Sequence, residues 1–284
     1  MSLPPNPLPE EFQPMPAASA PETQFETPAS VLLSVKTSFP AWSGWDVLAI
    51  TFFGIICLIV LIAVAVFASG VASHVKSLSV EEFARNALVL RASLAGQAAG
   101  YLVVLAAMAI LVRSRSKERF GRGIEWNWPG ASAITFFICG IILAIVVDGA
   151  SRFLPMPKSL PIEDFFNDRT NAYLTAAFGV SLAPLLEELF FRGLLYPVLR
   201  RRLGLITAVV LTAIGFAAIH SVQLGYAWAP IMSIFVVGVV FTLVRQRWSS
   251  VGASFVLHSG YNFTLFTLLW FASDHFRHLD KVKG

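Results

Sequence analysis

Charge is what this chain lacks most. Asp, Glu, Lys and Arg make up 13% of its 284 residues, where a soluble domain carries about 25%, and 56% of the residues are hydrophobic. A soluble domain is therefore excluded, and the composition is that of a polytopic membrane protein with the lipid bilayer as its solvent. Cysteine is nearly absent as well. Cys57 and Cys139 both lie in apolar runs, so no disulfide framework or cysteine metal cluster is available. The chain also has no His-Glu-x-x-His sequence and no internal repeat. Its net charge of +4 comes from basic residues gathered at the ends of apolar runs. That pattern orients a membrane protein and gives no reason to expect a nucleic-acid partner.

Proline is concentrated at the start. Residues 1–40 are proline-rich and carry Glu10, Glu11, Glu22 and Glu26, with too little apolar surface to fold, so a disordered tail is expected there. The tail has no basic leader segment, and a signal peptide is not expected. Apolar runs follow at about 45–69, 88–112, 131–151, 173–199, 204–221, 229–245 and 250–273, each near the roughly 20 residues that span hydrocarbon. The expected fold is an all-α membrane protein, a polytopic bundle of about seven transmembrane helices. By domain, this gives the tail (1–40), three N-terminal transmembrane helices (41–170), a four-helix core (171–274) and a short tail (275–284).

Tryptophans 42, 45, 126, 128, 228 and 248 fall near the ends of the runs, where interfacial anchors belong. Within the second run, Arg91 is expected to snorkel from a helix end and Gln97 to bond a neighbouring helix. The second, fourth and sixth connections hold the basic residues: Arg113, Arg115, Lys117, Arg119 and Arg122; then Arg200 to Arg202; then Arg245 and Arg247. Basic loops stay in the cytoplasm. A multi-pass protein with its amino terminus inside and its carboxyl terminus outside is therefore expected. The third connection, with Ile162, Glu163, Asp164, Phe165 and Phe166, mixes apolar and acidic residues. It reads as a surface segment, a cover for a site or a simple linker.

One apolar run breaks the pattern. Between Leu182 and Leu199 it contains Glu187, Glu188 and Arg192, and each charge at a bilayer centre costs about 2.5–3.5 kcal/mol on insertion scales. Such charges need partners. His220, His258 and Asn262 are the polar groups in the runs that follow. Counting from the basic ends at 1.5 Å per residue puts Glu187 roughly 20 Å deep, His220 roughly 24 Å, and His258 and Asn262 roughly 12–18 Å. Three helices thus carry polar groups to overlapping depths. Glu188 and Arg192, Phe216 and His220, and His258 and Asn262 are each four residues apart, so each pair shares a helix face. Glu187 is turned by ~100° from Glu188 and faces elsewhere.

The residues Glu-Glu-x-x-x-Arg (187–192), Phe-x-x-x-His (216–220) and His-x-x-x-Asn (258–262) resemble, in order, the three motifs of the CPBP family. This family comprises the type II CAAX prenyl endopeptidases and the bacteriocin-processing or immunity (Abi) proteins. The resemblance covers about 173–273, and Phe191-Arg192-Gly193 adds to it. It implies hydrolysis of a peptide bond in a membrane-associated or prenylated protein or peptide, with Glu187, His220, His258 and Asn262 catalytic and Glu188 and Arg192 supporting. The residue chemistry agrees. A carboxylate shielded from water is a good proton acceptor for Glu187's role as base, shared with His220. His258 and Asn262 are placed to donate to an oxyanion. The family has been regarded both as metal-dependent and as metal-free, and a zinc ion would draw on Glu187, Glu188, His220 and His258. The metal-free scheme is preferred because it gives Asn262 a task, so no cofactor is expected. A proton-coupled transporter and a catalytically silent peptide-binding or immunity protein are the alternative classes.

Overall fold

The computed structural model describes residues 1, 40–73, 79, 82–83 and 86–278. All but Met1 belong to one unit, Phe39–Gly284. The expected amino-terminal tail and the last residues of the carboxyl-terminal tail lie outside the described residues. Among those described there is no strand, and besides a four-residue helix at Phe120–Gly123 the α-helices are α1 (Gly44–Ser73), α2 (Ala87–Ser116), α3 (Ala133–Ser151), α4 (Arg169–Val180), α5 (Leu182–Glu188), α6 (Tyr196–Leu203), α7 (Leu205–Ile219), α8 (Trp228–Trp248) and α9 (Val251–Ala272). A π-helix, Leu189–Leu195, joins α5 to α6.

The first two helices form an antiparallel hairpin. Ser43 and Asp46 cap α1 reciprocally: Ser43 N–H donates to Asp46 Oδ2 at 2.8 Å, and Asp46 N–H to Ser43 Oγ at 3.3 Å. Arg115 at the end of α2 reaches the same carboxylate at 2.6 Å, tying the two ends together. Gly96 and Gly100 let the helices approach. A Cβ on Gly96 would stand 2.7 Å from the Ile62 Cα, and one on Gly100 2.7 Å from Leu58 Cδ2, the close contact that small residues four apart permit in membranes.

A second close pair is α3 against α9. A Cβ on Gly140 would stand 2.2 Å from the Leu257 carbonyl oxygen, and one on Gly260 2.4 Å from that of Phe137. Both helices carry a notch at the crossing, which fixes the height of His258 and Asn262.

The fourth expected run is not one regular helix. The axis from Arg169 to Leu203 breaks at Ser181 (φ −117°, ψ −78°). Three residues on, Pro184 has no N–H to continue the ladder. After Glu188 the backbone widens into the π-helix, where the Tyr196 N–H reaches back five residues to the Phe191 carbonyl. Two of its carbonyls accept from side chains: Arg192 O from Arg245 Nε at 3.2 Å and Leu194 O from Trp42 Nε1 at 3.0 Å.

Trp42 is therefore not the interfacial anchor expected of it. It is 1% exposed, because the π-helix offers its indole a carbonyl inside the protein. Arg91 lies at a helix end with its side chain exposed, and its guanidinium bonds Asn171 Oδ1 at 3.0 Å and Asp168 Oδ1 at 3.1 Å at the start of α4. Arg245, counted in a basic loop, is buried and pairs with Glu125 at 2.5 Å.

Among the described residues, five helical stretches are long and apolar enough to cross a membrane: Gly44–Gly70, Ala87–Ser116, Gly130–Ser151, the broken Arg169–Leu203 and Trp228–Trp248. Helix α7 is apolar but has only 15 residues. Helix α9 has the length, 22 residues, and is made less apolar by Ser254, His258 and Asn262. Phe52, Ile56, Ile59 and Phe67 along α1 are each more than half exposed, a surface suited to lipid rather than to water. The chain is a helical integral membrane protein.

Candidate active site

The break at Ser181 and the π-helix bracket α5, which carries the two carboxylates. Their faces differ, and so do their surroundings.

Glu188 points inward and is fully buried, as is Arg192. Arg192 Nη1 donates to Glu188 Oε1 at 2.8 Å, Nη2 to the Gly238 carbonyl at 2.9 Å and Nε to Thr242 Oγ1 at 3.3 Å. The guanidinium also lies 4.5 Å from the Phe216 ring centroid and 5.4 Å from that of Phe241, each an attractive placement for a desolvated cation. Glu188 has two further partners: Ser254 Oγ donates to Oε2 at 2.6 Å, and His258 Nδ1 lies 3.0 Å from Oε1. The carboxylate is thus held from α9 and from the π-helix.

Glu187 points the other way, into a cavity of about 420 Å³ whose wall also includes His220, His258 and Asn262. All four residues expected to meet do line this one space. Glu187 Oε2 is 3.8 Å from His258 Nε2, too long for a direct hydrogen bond. His220 is not ion-paired with Glu187 among the described residues, though both line the cavity. Its Nδ1 donates to the Phe216 carbonyl at 2.8 Å, since a carbonyl only accepts, and Nε2 keeps its lone pair. His258 is set by the same logic. Its Nδ1 faces the Glu188 carboxylate and its Nε2 faces the cavity. Asn262 Nδ2 donates to the Gly179 carbonyl at 2.7 Å, which holds the amide across the break between α4 and α5.

Phe216 therefore serves twice. Its ring covers Arg192, and its carbonyl fixes the imidazole one turn later. The third connection closes over the cavity: Pro161–Phe166 forms a 3₁₀ helix, the Ile162 N–H donates to the Gln223 carbonyl at 3.1 Å, and Ile162 and Phe165 line the space. Of its three readings, cover is the one its position matches.

Ser254 and Thr242, which bind Glu188 and Arg192, were not singled out by sequence reasoning. Ser254 had a signal, since it stands four residues before His258 and shares its face. Thr242 had none. Gln97 was expected to bond another helix; it makes no hydrogen bond among the described residues and lines the cavity instead. As for metal, no group of three or more His, Cys, Asp or Glu among the described residues is arranged to hold an ion. Glu188, one of the four possible zinc ligands, is already fully bonded.

A largely apolar cavity between the helices of this integral membrane protein thus carries a carboxylate, two imidazoles and an amide on its wall. Residues 169–264 match the family model "Type II CAAX prenyl endopeptidase Rce1-like", and this stretch holds all three motifs. Helices α1 to α3 lie outside the match. Comparison with curated proteins and with solved structures gave no match.

Proposed function

We propose that the protein is an intramembrane endopeptidase that hydrolyses a peptide bond of a membrane-associated protein or peptide, prenylated CAAX-type chains being the substrate class the family name points to. One observation carries this. Of two adjacent carboxylates, Glu188 is bonded on every side while Glu187 opens onto a cavity faced by two imidazoles and an amide.

In this reading a water molecule in the cavity gives its proton to Glu187, with the Nε2 lone pair of His220 as the second acceptor, and attacks the scissile carbonyl. The tetrahedral oxyanion is received by Asn262 Nδ2, which carries a second hydrogen beyond the one held by Gly179, and by protonated Nε2 of His258. Glu188 balances the charge on His258 through Nδ1 and holds its ring. Glu187 then passes its proton to the leaving amine. No step runs through a metal.

The test is cleavage of a farnesylated peptide ending in Cys-aliphatic-aliphatic-X by purified protein in nanodiscs. Glu187→Gln is expected to keep the fold and lower kcat by about 10²–10⁴-fold, the contribution of a general base, and activity is expected to survive exhaustive chelation. Wild-type turnover by Glu187→Gln, or zinc-dependent recovery after chelation, would overturn the scheme.

A further inference from the structure

The cavity wall opposite the catalytic residues is built from α2, outside the family match. Ser93, Gln97 and Tyr101 all line the cavity and are spaced four residues apart, so they form one stripe along that helix. The stripe has a direction. Arg91 bonds Asp168 and Asn171 at the start of α4, whereas the Tyr101 ring packs 5.3 Å from Phe178 near its end. Helices α2 and α4 therefore run side by side in the same sense, and Tyr101 is the stripe residue nearest Glu187.

The stripe's polar groups are largely idle. Neither the Gln97 amide nor the Tyr101 hydroxyl has a hydrogen-bond partner among the described residues, and Tyr101 is 9% exposed. Thr175, on the α4 wall of the same cavity, is 6% exposed, and its Oγ1 is buried without a partner. Ser93 Oγ donates to the Val89 carbonyl at 2.9 Å and keeps its lone pairs. Unused donors and acceptors inside a membrane protein are costly unless a ligand completes them. A hydrocarbon chain completes none of them.

Spacing identifies what does. Four helical residues advance about 6 Å. Along an extended peptide, groups on one side recur every second residue, at about 6.6 Å. Three stripe residues thus span about 12 Å and match three same-side positions of a strand-like segment. We propose that α2 is a docking track for the backbone of an extended peptide: Ser93, Gln97 and Tyr101 bond its amides from one side, Thr175 from the other, and the segment beside Tyr101 is delivered to Glu187. This inference rests on the protease reading for the identity of its ligand and extends it to the residues that position the substrate.

The test uses full-length protein in nanodiscs and a fluorescent farnesylated peptide ending in Cys-aliphatic-aliphatic-X. In analogues of this probe, one amide at a time is replaced by an ester, which deletes a single N–H. At one position the ester is expected to lower wild-type kcat/KM by about tenfold. Gln97→Leu is expected to lose about the same on the amide peptide and to be indifferent to that ester. A photoreactive benzoylphenylalanine at position 97 is expected to crosslink the peptide, and the same group at the lipid-facing Leu102 is not. Ester and Gln97→Leu effects that multiply independently, with no crosslink from position 97, overturn the track and leave the protease reading intact. A crosslink from position 97 without cleavage by the wild type keeps the track and overturns the protease reading. Neither crosslink nor cleavage overturns both.

Discussion

His258 Nδ1 lies 3.0 Å from Glu188 Oε1, so the second carboxylate of the pair braces an imidazole and does not face the cavity. The same oxygen takes Arg192 Nη1 at 2.8 Å. One carboxylate thus fixes a residue from α9 and a guanidinium from the π-helix, while its neighbour Glu187 faces the cavity.

Removing that brace should show in stability before activity. Glu188→Gln strands a fully buried guanidinium, and breaking such a pair costs about 3–5 kcal/mol. Ser254→Ala removes one hydrogen bond to the same carboxylate and should cost about 1.5–3 kcal/mol. Thermal unfolding in detergent should rank the two in that order, with Glu187→Gln close to wild type. Equal melting of Glu188→Gln and Glu187→Gln would contradict the division of labour.

Asn262 is held by Gly179 before any substrate arrives. If its amide serves the oxyanion, Asn262→Ala should lower kcat by about 10²–10³-fold with KM little changed, the mark of a contact made in the transition state. A raised KM with unchanged kcat would assign Asn262 to ground-state binding.

The notch between α3 and α9 makes a sharp packing prediction. A side chain at Gly260 meets the Phe137 backbone at 2.4 Å, whereas one at Gly149 meets nothing within 4 Å. Gly260→Val should cost about 3 kcal/mol, the upper end for overpacking, and Gly149→Ala should be neutral. Similar yields and melting temperatures for both variants would show that α3 can retreat from α9 at little cost.

Topology is open to a direct test. With the second, fourth and sixth connections inside, a reporter fused after Arg202 should read cytoplasmic and one at the carboxyl terminus external. The reverse pair of readings would invalidate the seven-span orientation.

Much of this was legible in the residues themselves. Long apolar runs declare membrane helices because backbone groups in lipid must bond within their own segment. Glu187, His220, His258 and Asn262 stood out because polar groups are rare in such runs. What stayed hidden was pairing across long sequence separations. Trp42 bonds Leu194, Arg91 bonds Asp168 and Asn171, and Thr242 bonds Arg192; none of these has a spacing that a single helix could reveal. The π-helix was hidden for a related reason. Its carbonyls are served by Arg245 and Trp42, donors that only the folded chain brings within reach.

That π-helix also acts as a phase shift in the chain. It holds more residues per turn than the α-helices on either side, so the faces of α6 are out of step with those of α5. Closing the segment from Leu189 to Leu195 as an α-helix with every residue kept would swing α6 by about 100° about its axis. Tyr196 and Arg200 to Arg202 would then face new neighbours while Glu187 kept its own. The two halves of the broken helix are set like a combination lock, and the single-residue offset between them fixes which faces meet around the cavity.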